Sequence, residues 1–174
     1  SITNLSPAEL YITDDEPLGS DAWFCGFGDY SQRRGNDPDL FSRKHAMKNK
    51  LDRKRNGFTS SSGGVSYAGG LLAFDFDDPD GVVNALGDNF VSPDEALLGP
   101  GGSDAGALDF EGTTVQGDSG GPLFLFKDGK WRLAGVLSGG ADEPVEYHED
   151  SGYGDISIFI RVSTAKAWIQ SVVR

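Results

Sequence analysis

The chain has 174 residues, a formal net charge of −12 and one cysteine, Cys25. That length makes one domain with its own core. The charge argues against binding nucleic acid or an anionic membrane with the whole surface, and a lone cysteine rules out an internal disulfide. No apolar run reaches the ~18 residues of a membrane span. Twenty-five glycines between short apolar runs suit an all-β fold with many turns.

In chain order, the first feature is Cys25, read as a small apolar residue buried in a strand. Nine of the fifteen Lys and Arg residues then fall between Arg33 and Arg55, which reads as a solvated loop or hairpin. A nucleic-acid role would need interleaved aromatics, and Phe41 alone is there. His45 sits inside this stretch and reads as a solvated surface histidine. Asp75, Asp77 and Asp80 precede the turn at Gly81, so they offer oxygen ligands for Ca²⁺, although the spaced glutamate of an EF-hand loop is missing. The alternative is a strand with Asp75 and Asp77 pointing outward. No other cofactor is expected.

The most informative stretch is Gln116-Gly117-Asp118-Ser119-Gly120-Gly121-Pro122-Leu123. Gly117 lets the backbone turn tightly without a Cβ. The N–H groups of Gly117 and Ser119 can then aim at one spot, as an oxyanion hole needs. Pro122 to Phe126 is an apolar run predicting a buried strand. Lys127-Asp128-Gly129-Lys130 is a hairpin turn, and Trp131 to Ser138 is the returning strand. A polar loop over 141–153 contains His148, and Ile156 to Val162 is a further strand. Ser163 is a candidate N-cap for a terminal helix, with Ala165, Trp168, Ile169 and Val172 on one apolar face.

The Gly-Asp-Ser-Gly-Gly-Pro stretch resembles the nucleophile loop of chymotrypsin- and trypsin-like serine proteases. Trp23-Phe24-Cys25-Gly26-Phe27-Gly28 resembles the strand that opens their second barrel, and Leu71 to Asp77, Asn84 to Gly87 and Leu108 to Gly112 resemble a bacterial branch. The resemblance implies an all-β chain: the second six-stranded antiparallel β-barrel of a two-barrel fold, with a C-terminal α-helix. Residues 1–19 would be the inter-barrel linker and 20–174 the barrel.

The same resemblance implies a serine endopeptidase, secreted or periplasmic, acting on a protein or peptide. Ser119 would be the nucleophile and the Gly117 N–H an oxyanion donor, with Asp118 structural at the site. The substrate would meet Thr113, Ser138, Gly139, Gly140 and Ser157. Thr113 would lie at the base of the S1 pocket, where its neutrality implies a neutral P1 side chain, unless Asp155 restores basic specificity. Asp118 would pair with an amino terminus, which Ser1-Ile2-Thr3 does not resemble. The triad His and Asp are expected from an N-terminal half absent from this chain. Neither His45 nor His148 is expected to serve as the base: His148 would face the outer rim of the pocket. The rival classes are a catalytically inert protease-like binding module and a calcium-dependent structural domain.

Overall fold

The computed structural model describes residues 6–28, 43–87, 97–103, 106–141 and 152–173. Eight strands join in one sheet: β1 (Glu9–Leu10), β2 (Asp21–Gly26), β3 (His45–Lys50), β4 (Arg53–Ser62), β5 (Val65–Asp75), β6 (Pro122–Lys127), β7 (Lys130–Ala141) and β8 (Ile156–Arg161). Their order is β3-β2-β6-β7-β8-β5-β4, with β1 alongside β7. The ladders are antiparallel except the short parallel β1–β7 pair. The chain is thus mostly antiparallel β with a C-terminal helix, Lys166–Val172. Among the described residues the sheet has eight strands, seven of them within the 20–174 span where six were expected. Its two ends, β3 and β4, are separated only by Leu51 and Asp52.

Two apolar clusters lie on opposite faces of β5 and β8. Side chains alternate along a strand. Leu72 and Phe74 therefore join Phe24, Leu123, Leu125 and Phe159, while Leu71 and Ala73 join Ala85, Leu86, Leu98, Ile156 and Ile158. A strand covered on both faces reads as a continuous apolar run. That is why Leu71 to Phe74 shows no alternation in its composition.

The hairpin turn between β6 and β7 forms as expected, with Asp128 at φ 51 and Gly129 at φ 78. Both strands run longer than the apolar signal: β7 reaches Ala141. The segment expected as a linker packs on the sheet over its described part. Tyr11 is in the first cluster, its N–H donates to the Leu133 carbonyl (2.8 Å), and Glu16 is buried. Burial, followed by the nearby Asp15 charge, pushes the Tyr11 hydroxyl up to about 12.

The C-terminal expectation needs correction. Ser163 is not an N-cap but lies within a 3₁₀ turn, Val162–Ala165, and donates its hydroxyl to Glu16 Oε1 (2.7 Å). The helix buries none of its residues among the described parts, and Trp168 is 67% exposed. None of the described helices is long and apolar enough to cross a membrane.

Candidate active site

The loop around Ser119 is two linked turns. Asp118 N–H donates to the Val115 carbonyl (3.1 Å), and Gly121 N–H donates to the Asp118 carbonyl (2.8 Å). Gly117 and Gly120 carry φ of 95° and 83°, in the left-handed region where a Cβ is strained. Two bonds to β7 pin the loop's exit: Gly120 N–H to the Leu137 carbonyl and Leu137 N–H to the Gly121 carbonyl, both 2.9 Å. The result separates two adjacent residues. Asp118 is buried, and Ser119 is exposed.

Asp118 is held entirely from within the described chain. Its Oδ1 accepts the Gly28 N–H (2.8 Å), and its Oδ2 accepts the Val115 N–H (3.1 Å). His45 Nε2 lies 3.3 Å from Oδ1. This corrects the reading of His45 as a solvated surface residue: its side chain is 25% exposed and rests on the loop's buried side, against Asp118. The glycines at 26 and 28 explain how the carboxylate enters. An added Cβ at Gly26 would lie 1.9 Å from Asp118 Oδ1, and one at Gly28 would lie 2.7 Å from Asp118 Cγ. Gly121 is equally constrained, because its Cβ would meet the Phe24 ring at 2.6 Å.

Beside the loop, several of the expected substrate-binding residues come together. Ser157 is fully buried on β8. Its Oγ accepts the Thr114 N–H (3.2 Å) and lies 2.9 Å from Thr114 Oγ1 and 3.3 Å from Thr113 Oγ1. Gly140 of β7 is the register partner of Ser157, and Gly139 is that of Ile158. The β7–β8 register shifts between Leu137 and Gly139, which leaves Ser138 as the extra residue of a bulge, exposed with Gly139 and Gly140. Asp155 lies just before β8, its carbonyl accepting the Phe76 N–H (3.0 Å). His148 falls outside the described residues.

The acidic run departs from the outward-facing reading. Asp75 and Asp77 are buried rather than outward-facing. Asp75 Oδ2 accepts the Leu86 N–H (2.7 Å) and Oδ1 accepts the Ser103 hydroxyl (3.0 Å). Among the described residues no three His, Cys, Asp or Glu side chains are grouped to hold a metal ion, Asp75, Asp77 and Asp80 included. The basic stretch is also not all solvated: Arg53 is 3% exposed. Its guanidinium donates to the Gly102 (2.6 Å), Gly99 (3.2 Å), Gly101 (3.2 Å), Asp52 (3.2 Å) and Leu86 carbonyls. Cys25 is half-buried.

Sequence reasoning missed Gly28, Val115 and His45 as the holders of Asp118. The Gly26-Phe27-Gly28 spacing was the available signal, since two glycines one residue apart on one face mark a close approach.

Residues 104–169 match the family model described as Trypsin. Among solved structures, the chain is similar to neuropsin, a serine protease expressed in the limbic system of mouse brain. The two share 18% identity at a TM-score of 0.49, over 96% of this chain and 53% of that one. The chain therefore spans about half the length of that structure. The match to the Trypsin family model runs across the loop, β6, β7 and β8 and ends within the C-terminal helix.

Proposed function

We propose that this chain is the nucleophile-bearing half of a chymotrypsin-like serine endopeptidase. The observation that carries the reading is the opposed burial of Asp118 and Ser119 across two glycine turns. A serine hydroxyl on an exposed, backbone-pinned loop has the access an attacking group needs. Ser119 Oγ adds to the scissile carbonyl and passes its proton to a histidine supplied by an N-terminal half. The N–H groups of Gly117 and Ser119 hold the oxyanion, and water then releases the acyl group. In this reading β3 and β4 act as one bent strand that joins the sheet's two ends, so the seven strands of that order count as six, with β1 outside them, and the sheet closes as a barrel. Residues 20–174 form that barrel, and 1–19 form the strap towards the other half.

Substrate specificity follows from the residues around Ser157. Thr113, Gly139, Gly140 and Ser157 line a pocket without a charged base, so a neutral P1 side chain is preferred. The exposed edge at Ser138 to Gly140 pairs with the substrate as an added strand. A secreted or periplasmic location fits an endopeptidase of this kind.

The test is labelling with a fluorophosphonate, with and without the N-terminal half, using Ser119→Ala as control and peptide mapping of the adduct. Labelling at Ser119 when both halves are present is the expected result. No adduct under those conditions would leave an inert binding module instead.

A further inference from the structure

We propose that His45 is the positioning residue of the Gly117–Gly121 loop: its imidazole, with Nε2 3.3 Å from Asp118 Oδ1, keeps the Asp118 carboxylate in its buried seat and thereby fixes the peptides of Gly117 and Ser119. The inference concerns the site proposed above, but its first readout does not depend on catalysis.

The Asp118 side chain has no solvent exposure. A carboxylate withdrawn from water needs donors on its oxygens and an opposite charge nearby. Two donors are backbone N–H groups, from Gly28 and Val115. The third neighbour is His45 Nε2 at 3.3 Å, on the same oxygen that Gly28 binds. The strand pairing makes this contact available. His45 is the register partner of Gly26, so the residue opposite the ring has no side chain. Asp118 enters through that gap, and His45 closes it from the other strand.

Asp118 faces the His45 ring from the loop, and the Cys25 thiol is one position along β2 from Gly26. Arg43, Lys44 and Lys48 are its neighbours along the chain. Asp118 is thus the acid that the described residues bring within ion-pair reach of His45. Because Asp118 and Ser119 are adjacent, and the Asp118 backbone makes both turn hydrogen bonds, a shift of the carboxylate moves the peptides on either side of it.

The experiment is amide hydrogen exchange on the chain as it stands, in wild type, His45→Gln and His45→Lys. In His45→Gln, exchange at the hydrogen-bonded amides of Gly28, Val115, Asp118, Gly120 and Gly121 should accelerate about tenfold or more, while Leu72 and Phe159 of the core stay protected. His45→Lys should restore protection, because it supplies a cationic donor. Unchanged exchange in His45→Gln, or a His45→Lys variant as loose as His45→Gln, would overturn the proposal. If the variants do not fold, ¹⁵N spectra of the wild-type imidazole decide instead: a proton on Nε2, the nitrogen facing Asp118, supports it, and an Nε2 without a proton sinks it. Fluorophosphonate labelling with the N-terminal half separates this from the protease reading. Loop protection that depends on His45 without any Ser119 adduct leaves the positioning role standing and removes the protease. An adduct that forms equally fast in His45→Gln does the reverse.

Discussion

Asp118 and the Asp52–Asp75 pair both bury carboxyl groups, and they do so by opposite means. Asp118 is surrounded by donors: two backbone N–H groups and an imidazole nitrogen. Asp52 is buried beside another carboxyl group, Asp75, whose own oxygens accept from Leu86 and Ser103. Burial, and then the charge of Asp75, pushes the Asp52 carboxyl up to about 8. One acid is fixed by partners; the other is neutralised by holding a proton. The first arrangement gives a defined position, which a reactive loop requires. The second gives a stability that depends on pH.

The Arg161 cluster is the strongest way to sharpen this contrast. Arg161 is fully buried, and its Nε donates to Glu16 Oε1 (2.8 Å). Its other nitrogens donate to Glu16 Oε2, Asp14 and Asn56. Burial disfavours the guanidinium charge, yet the Glu16 and Asp14 carboxylates outweigh it and raise the pKa of Arg161 above its ordinary value. Arg161→Ala leaves Glu16 buried with its strongest partner gone, and should lose about 3–5 kcal/mol in urea denaturation. Replacing both with apolar residues, as in Arg161→Met with Glu16→Leu, should recover most of that loss. If Arg161→Ala alone were nearly neutral, buried carboxylates here would not need cations, and the contrast with Asp52 would collapse.

The Asp52 half of the comparison makes its own prediction. The folded chain holds a proton on Asp52 between 3.8 and about 8, where the unfolded chain has released it. The unfolded state therefore binds fewer protons, and stability falls as pH rises through that window. The slope is at most about 1.4 kcal/mol per pH unit. Melting temperature should be higher near the acidic end than near the alkaline end, and Asp52→Asn should flatten the profile. A wild-type profile that rises over the same range would show that Asp52 is ionised in the folded chain.

Gly26→Ala probes the other side at smaller cost. Its Cβ would sit 1.9 Å from Asp118 Oδ1, so the carboxylate must move. Overpacking of this kind is expected to destabilise by about 1–3 kcal/mol. The added methyl should also abolish Ser119 labelling when an N-terminal half is supplied, whereas Gly102→Ala, at a position with nothing within 4 Å of the new Cβ and no positive φ, should leave labelling intact. Equal labelling in Gly26→Ala would separate Asp118's seat from the geometry of Ser119.

The legible parts of the molecule are those governed by local rules. The strand at Pro122–Lys127, the turn at Asp128 and Gly129, and the returning strand follow from an apolar run, a turn pair and another run. The tight turn at Gly117 was legible because the glycines around Asp118 and Ser119 lie together in sequence. What escaped was set by distant contacts. Asp75 read as outward because alternation was assumed, but β5 has a cluster on each face, so the strand has no solvent side there. His45 read as solvated because its sequence neighbours are cationic, while the residue that matters lies 73 positions further on, at Asp118. Ser163 looked like a cap by sequence, yet its hydroxyl went to Glu16, on a strap whose place no local pattern encodes.

Ser157→Ala tests the smallest effect and the finest part of the comparison. The Ser157 hydroxyl is buried, accepts from Thr114 N–H, and lies within reach of both threonine hydroxyls. Unlike Asp118, it is neutral and can be both donor and acceptor, so its neighbours can partly reorganise around a loss. The substitution should destabilise by about 1 kcal/mol, the ordinary net value of such a bond. The Thr114 N–H would lose its Ser157 acceptor, a neutral loss, whereas removing a donor from a carboxylate leaves a charge behind. If Ser157→Ala costs as much as Gly26→Ala, the threonine–serine cluster holds the loop's approach to β8 as firmly as Asp118 holds its approach to β2, and the carboxylate is not the dominant anchor.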